Sequence, residues 1–260
     1  MRLAISLPAQ TFFHEERNAM KVARLNLLCW IFLGVLFPLP CFAVVNEIDS
    51  NFDGKIDQWQ HIDANGKAAK IEYDSNFDGK IDQVEYFDGK KLLRVEYDSN
   101  NDGKMDFFQY YDDNKHLIRI EKSSKFNGKL DWKEYYGSGG KLNRLEIDDD
   151  GDGKPETWQF YDENEQLIRA EADTDKDGKP DRWSYYTNDQ LKKSAFDTNH
   201  DGKPDQWQYY SAAKVIEKVE HDTNFDGKPD RWEYFDSSGK LVKVEIDRNF
   251  DGKVDSTQNH

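Results

Sequence analysis

The phrase Asp-x-Asn-x-Asp-Gly-Lys-x-Asp, or a close variant, begins at Asp49, Asp74, Asp98, Asp148, Asp173, Asp197, Asp222 and Asp247, with an eroded copy at Ser123. In the copy at Asp222 the oxygen-bearing residues alternate, Asp222, Asn224 and Asp226 at the first, third and fifth places, and Asp230 follows at the ninth. Carboxylates and carboxamides spaced in this way can wrap a hard divalent cation that takes six to eight oxygens. Gly227, at the sixth place, suits the sharp turn such a wrap needs because it has no Cβ. Lys228 would offer its backbone carbonyl while its ammonium points to solvent. A single phrase of this kind reads as a turn, since Asp and Asn form local turns on their own. Eight intact copies, each with a carboxylate four residues past the last turn Asp, exceed what turning requires.

The candidate metal ligands are Asp49, Asn51, Asp53 and Asp57 in the first loop, Asp74, Asn76, Asp78 and Asp82 in the second, and Asp98, Asn100, Asp102 and Asp106 in the third. The fourth loop, at Ser123, has Ser123, Lys125 and Asn127 where ligands are expected, yet keeps Gly128, Lys129 and Asp131. It is expected to turn without an ion, with the Lys125 ammonium standing in for the cation. The remaining sets are Asp148, Asp150, Asp152 and Glu156; Asp173, Asp175, Asp177 and Asp181; Asp197, Asn199, Asp201 and Asp205; Asp222, Asn224, Asp226 and Asp230; and Asp247, Asn249, Asp251 and Asp255.

With this Asp-x-Asn/Asp-x-Asp-Gly core, the loops resemble the calcium loops of EF-hands, dockerins and thrombospondin type 3 repeats. That resemblance implies calcium as the ion. It does not carry the EF-hand fold with it, for two reasons. The twelfth place, where an EF-hand has a bidentate Glu, holds Gln60, Glu85, Gln109, Glu134, Gln159, Ser184, Gln208 and Glu233 in turn. The segment after each loop also reads as a strand rather than a helix.

The elements that position the loops recur with them. Successive copies start 25 or 24 residues apart, a period that marks an array of one supersecondary unit whose copies bury apolar surface against their neighbours. In the copy from Asp222, Arg231-Trp232-Glu233-Tyr234-Phe235 is rich in strand-forming aromatics, Asp236-Ser237-Ser238-Gly239-Lys240 carries turn formers, and Leu241-Val242-Lys243-Val244-Glu245 is a second strand. A five-residue loop predicts Phe235 opposite Leu241 and, by strict alternation, Tyr234 opposite Val242, Glu233 opposite Lys243, Trp232 opposite Val244 and Arg231 opposite Glu245. The copy at Asp148 gives the same register, with Trp158 by Ala170, Phe160 by Ile168, Tyr161 by Leu167 and Gln159 by Arg169. One face would then be an aromatic and aliphatic core stripe, and the other a charged ladder of Lys70, Arg94, Arg119, Arg144, Arg169, Lys193, Lys218 and Lys243 with neighbouring Glu. The predicted fold is all-β: a tandem array of eight hairpin repeats with acidic calcium loops between them, as a curved or spiral antiparallel sheet closing its apolar face on itself, with a β-propeller as the alternative.

The chain of 260 residues carries 36 Lys and Arg against 51 Asp and Glu, a net charge of −15. Such acidity argues against nucleic acid as a partner, since phosphate binding needs clustered bases. Residues 1–19 read as a possible upstream extension, with Met20 the working start. Residues 20–43 read as a secretory signal: Lys21 and Arg24 precede an apolar run from Leu25 to Phe37, and cleavage is expected after Ala43. The mature domain, 44–260, would be secreted or periplasmic, without a transmembrane span. Both cysteines, Cys29 and Cys41, precede it, so no disulfide would staple it. Without residues 1–43 the net charge is −17, which eight divalent ions would nearly neutralise.

The hairpin phrase Trp-x-Tyr-Phe-Asp-x-x-Gly-Lys-Leu is similar to choline- and glucan-binding repeats and to the YD repeats of bacterial shell-forming toxins. The first likeness implies an aromatic cage from Trp232, Tyr234 and their equivalents, hence a cell-wall or carbohydrate-binding module as the alternative function. The primary reading is a calcium-binding repeat protein with a structural, adhesive or binding role toward a cell-surface glycan or protein. The histidines occupy unrelated repeat positions and no nucleophile motif is present, so no enzyme is expected.

Overall fold

A computed structural model describes residues 44–260; the expected signal and upstream extension lie outside the described residues. The described chain forms eighteen strands, β1 (Val44–Ile48) to β18 (Ser256–Asn259), and no helix. Each strand pairs antiparallel with the next in sequence, and no other strands are paired among the described residues. The result is one open sheet in a single meander. Among the described residues the sheet neither divides into a ring of blades nor closes into a barrel.

The strands fall where the aromatic and aliphatic runs place them, as in β16 (Arg231–Phe235) and β17 (Leu241–Ile246). Between them Asp236 N–H donates to the Lys240 carbonyl at 2.9 Å and Gly239 N–H to the Asp236 carbonyl at 2.9 Å. Gly239 adopts φ 83°, the left-handed residue that ends this kind of three-residue hairpin loop. The two 24-residue copies shorten the turn and leave the ladder unchanged. β12 (Arg182–Thr187) joins β13 (Gln190–Phe196) through Asn188 and Asp189, at φ 50° and 57°, the paired positive φ of a two-residue type I′ turn.

The expected register holds for one pair and fails for the rest. Phe235 faces Leu241, but Tyr234 faces Lys243, Glu233 faces Val244, Trp232 faces Glu245 and Arg231 faces Ile246. In the Asp148 copy Tyr161 faces Leu167 as expected, while Phe160 faces Arg169, Gln159 faces Ala170 and Trp158 faces Glu171. The cause is a β-bulge in all eight hairpins, one pair beyond the turn in six and two pairs beyond it in the two 24-residue copies. Val242, Ile168 and their equivalents are the extra, unpaired residues, and Leu93, Ile118 and Ile168 are left exposed. A bulge inserts one residue and so reverses which face every later side chain occupies.

That reversal redistributes the two faces. Leu241, Val244 and Ile246 now share a face with Phe235, where Val95, Ile120, Leu145, Val219 and Val244 are buried, while Val84 and Ala195, opposite Glu96 and Trp183, are buried on the other face. Tyr111, whose hydroxyl burial pushes up to about 12, stays a donor on the Phe235 face and hydrogen-bonds Gln109 at 2.9 Å. The opposite face carries the Trp and Tyr stripe together with the bases and Glu, so the stripe is half-buried rather than core. Tyr234 donates to Glu245 at 2.9 Å, Lys243 pairs with Glu245 at 2.8 Å, and the Lys243 ammonium lies 3.9 Å from the Tyr234 ring centre. Tyr110, Arg119 and Glu121 repeat the cation–π contact and the Tyr–Glu hydrogen bond, at 4.1 and 2.9 Å. An exposed cation–π contact contributes about 0.5–1 kcal/mol.

Candidate metal loops

Every turn from one hairpin to the next is a loop of this repeat, and the backbone ladder runs through it. Asp222 N–H donates to the Asp205 carbonyl at 2.8 Å and Asp230 N–H to the His221 carbonyl at 2.8 Å, so the first and ninth residues of successive loops continue the pairing of the strands. This buries their carboxylates: Asp222 is 3% exposed and Asp230 4%, whereas Asn224 and Asp226 are exposed.

Within the loop the acceptors collect backbone donors. Asp222 Oδ2 accepts from Gly227 N–H at 2.7 Å, and the equivalent bond measures 2.7 or 2.8 Å in all eight intact loops. Asn224 Oδ1 accepts from Asp226 N–H at 3.1 Å and Asp226 Oδ1 from Lys228 N–H at 2.9 Å. The path needs left-handed residues at the fourth and sixth places, Phe225 at φ 61° and Gly227 at φ 91°. Gly227 takes that conformation at no side-chain cost; Phe225 does not.

The oxygens converge most completely in the Asp148 loop. One carboxylate oxygen from each of Asp148, Asp150, Asp152 and Glu156 lies within 4.8 Å of the others, so all four residues expected to bind there come together. Asp173, Asp175 and Asp177 form a similar group, while Asp181 groups with Asp175 and with His200 of the following loop. In the other six intact loops an Asn takes the third place, leaving three carboxylates and one amide.

The donor set suits a hard cation: it is almost wholly oxygen, and part of it lacks a partner. Asp247, 2% exposed, has its buried Oδ1 without a hydrogen-bond donor, and an orphaned buried carboxylate oxygen is costly unless something positive meets it. In the Asp148 loop a positive group already does. Lys176 Nζ sits 2.5 Å from Asp150, holding that carboxyl below the usual range, while Asp150 raises the pKa of the Lys176 ammonium.

Three sets of residues escaped the sequence reading. The second place carries a hydroxyl in most copies, and Thr174, Thr198 and Thr223 donate theirs to the ninth-place carboxylates Asp181, Asp205 and Asp230 at 2.7, 2.8 and 2.8 Å. That signal was present in the repeat column as recurring Ser or Thr. Lys176 and His200 are the other two. Each is the fourth residue of its loop and reaches the third residue of the loop before it, His200 Nδ1 lying 2.7 Å from Asp175. Asn76 and Asn101 make the same contact at 3.0 Å. These contacts depend on successive loops stacking along one edge of the sheet.

The Ser123 loop keeps the backbone without the acids. Ser123 Oγ accepts from Asn127 N–H at 3.2 Å, and Asp131 still takes Ser124 N–H at 2.6 Å. Lys125 does not fill its own loop, as expected from sequence, but donates to the Asp149 carbonyl of the next one.

No family model and no curated protein matches the chain. Among solved structures it is similar to a mutant of S. aureus TarM in complex with fondaparinux, alpha-GlcNAc-glycerol and UDP, at 9% identity and a TM-score of 0.32, over 40% of this chain and 20% of that one. A GtfA/B complex bound to UDP and GlcNAc is similar at 15% identity and a TM-score of 0.24, over 50% and 24%. The TcdB2-TccC3-Cdc42 complex is similar at 13% identity and a TM-score of 0.23, over 75% and 13%. The chain thus spans less than a quarter of each. Likenesses this distant carry no argument about activity.

Proposed function

We propose that the protein is a non-enzymatic calcium-binding repeat protein of an extracellular or periplasmic space, in which an ion in each intact acidic loop staples one hairpin to the next. The observation that supports this most is the convergence of Asp148, Asp150, Asp152 and Glu156 on one point. Four like charges held together cost free energy that a turn does not require, and a divalent cation offsets it. Calcium suits the sites better than magnesium because the loops offer many oxygens on a pliable path rather than a tight octahedron. The glycan-binding reading is weaker, since Arg94, Arg144 and Lys243 lie over the rings of Tyr86, Tyr135 and Tyr234 at 4.4, 4.2 and 3.9 Å and cover the faces a sugar would stack on. Native mass spectrometry of protein purified in calcium tests the reading. The expected count is eight ions, one for each intact loop; a chain that carries none at millimolar calcium contradicts it.

A further inference from the structure

Lys176 belongs to one loop and places its charge in another. Its backbone, at φ 64°, is the fourth residue of the Asp173 loop, and its N–H donates to Asp173 Oδ1 at 2.7 Å. Its side chain crosses to the preceding loop, where Nζ lies 2.5 Å from Asp150 Oδ2 and 3.8 Å from Glu156 Oε1. Both acids belong to the four-carboxylate group of the Asp148 loop. We propose that Lys176 is a tethered competitor for the Asp148 site, an ammonium that occupies the cluster and must swing out before a divalent ion can engage all four carboxylates. This inference rests on the calcium reading above and adds to it a rank order among loops.

The turn itself does not call for a lysine at this place. Gly151, Asn101 and Phe225 hold the same left-handed backbone in other loops, at φ 72°, 60° and 61°. What the stacking of loops fixes is a contact from the fourth place to the third place of the loop before, seen again in Asn101 with Asn76 and in His200 with Asp175. Of the nine loops, this one alone puts a lysine there. A calcium ion bound to Asp150 would lie about 2.3–2.6 Å from its oxygen, the same distance at which the ammonium now sits, and the two cations cannot share that position. The Asp148 loop therefore has four carboxylates where most loops have three, yet binds less tightly than that charge alone would give. The side chain is about half exposed, so solvent screens the competition and its effect is a few-fold rather than absolute.

A calcium titration of the full chain, followed through the backbone amide resonances of Gly153 and Gly227, reads two loops separately. Those N–H groups donate to Asp148 Oδ2 and Asp222 Oδ2 at 2.8 and 2.7 Å. Lys176→Met keeps the aliphatic stem and removes the ammonium, and Lys176→Gln checks that the result does not depend on the replacement chosen. In both variants the Gly153 midpoint is expected to fall to about one fifth of its wild-type calcium concentration while the Gly227 midpoint stays put. Lys228→Met makes the same charge change in a distant loop and should leave the Gly153 midpoint where it was. An unchanged Gly153 midpoint in the Lys176 variants overturns the proposal, as does an equal shift produced by Lys228→Met. If neither glycine responds to calcium in the wild-type chain, the calcium reading itself fails and this inference with it.

Discussion

The Ser123 and Asp148 loops are neighbours with the same backbone and opposite chemistry. Both continue the ladder, Ser123 N–H to the Asp106 carbonyl at 2.8 Å and Asp148 N–H to the Asp131 carbonyl at 2.9 Å. Both turn through left-handed residues at the fourth and sixth places, Phe126 and Gly128 at 51° and 81°, Gly151 and Gly153 at 72° and 94°. One does so around a serine hydroxyl and a single ninth-place carboxylate, the other around four carboxylates. The connection between hairpins thus needs the glycine, the ladder bonds and one acid. The remaining carboxylates in eight loops exceed the needs of the turn, which is why a ligand is the simplest account of them.

Giving the Ser123 loop the chemistry of its neighbour should change stability most. Ser123→Asp, Lys125→Asn and Asn127→Asp together rebuild an intact ligand set on a backbone that already has the right path. Native mass spectrometry should then count one ion more than wild type. If calcium exceeds the dissociation constant about tenfold, the added site contributes about 1.4 kcal/mol. In chelator the same variant should be less stable than wild type, because three units of negative charge are added without a cation and the Lys125 contact to Asp149 is lost. A variant equally stable in both conditions would show that the added acids do not bind an ion.

The sheet, too, departs from the repeat. Ser194 occupies the central apolar position held by Val219 and Val244 in other copies, is fully buried, and has an unpartnered hydroxyl. Its cross-strand neighbours are Ser184 and Gln208. Ser194→Val should stabilise the protein by about 1 kcal/mol by removing an unsatisfied polar group and adding apolar contact. The gain should be the same in calcium and in chelator, read as equal shifts in the denaturant midpoint. A gain that arises only in calcium would mean that sheet and loops are not energetically separate.

The smallest effect lies at the hairpin tips, opposite the metal loops. The Ser238 hydroxyl, with the N–H groups of Lys240 and Ser238, holds the Asp236 carboxyl below the usual range. A carboxyl whose folded pKa is depressed stabilises the fold above its unfolded pKa, and that contribution fades as pH falls through the folded value. Unfolding of wild type and Asp236→Ala in chelator should therefore differ at about pH 6, well above the carboxylate range, and converge as the solution is acidified through that range. A difference that persists undiminished at low pH would place the role of Asp236 elsewhere.

Much of this architecture was legible in the residues. The repeat set the strand positions, and Phe235 opposite Leu241 followed from the turn length. The remaining pairs did not follow, because a valine or isoleucine at the bulge, such as Val242 or Ile168, looks like any other strand residue, and only geometry reveals that it is unpaired. The two shorter repeats were visible as a 24-residue spacing, but length alone does not say that the missing residue comes from the hairpin turn. Among the loop residues, the alternating acids were readable because a cation dictates their spacing. Lys176 and His200 were not, because their contacts lie across a stack of loops about one repeat away, and a base amid acids looks like scatter along the chain.

In the proposed reading, calcium takes the place of the disulfides that residues 44–260, which hold no cysteine, cannot form. Thermal unfolding of the protein in millimolar calcium, in magnesium and in chelator tests it most directly. With a dissociation constant of about 0.1 mM, each site contributes about 1.4 kcal/mol in roughly 1 mM calcium, and several sites together rival the stability of an ordinary domain. The melting temperature should be far higher in calcium than in chelator, with magnesium close to chelator. One melting temperature in all three solutions would contradict the account and leave the acidic loops as turns.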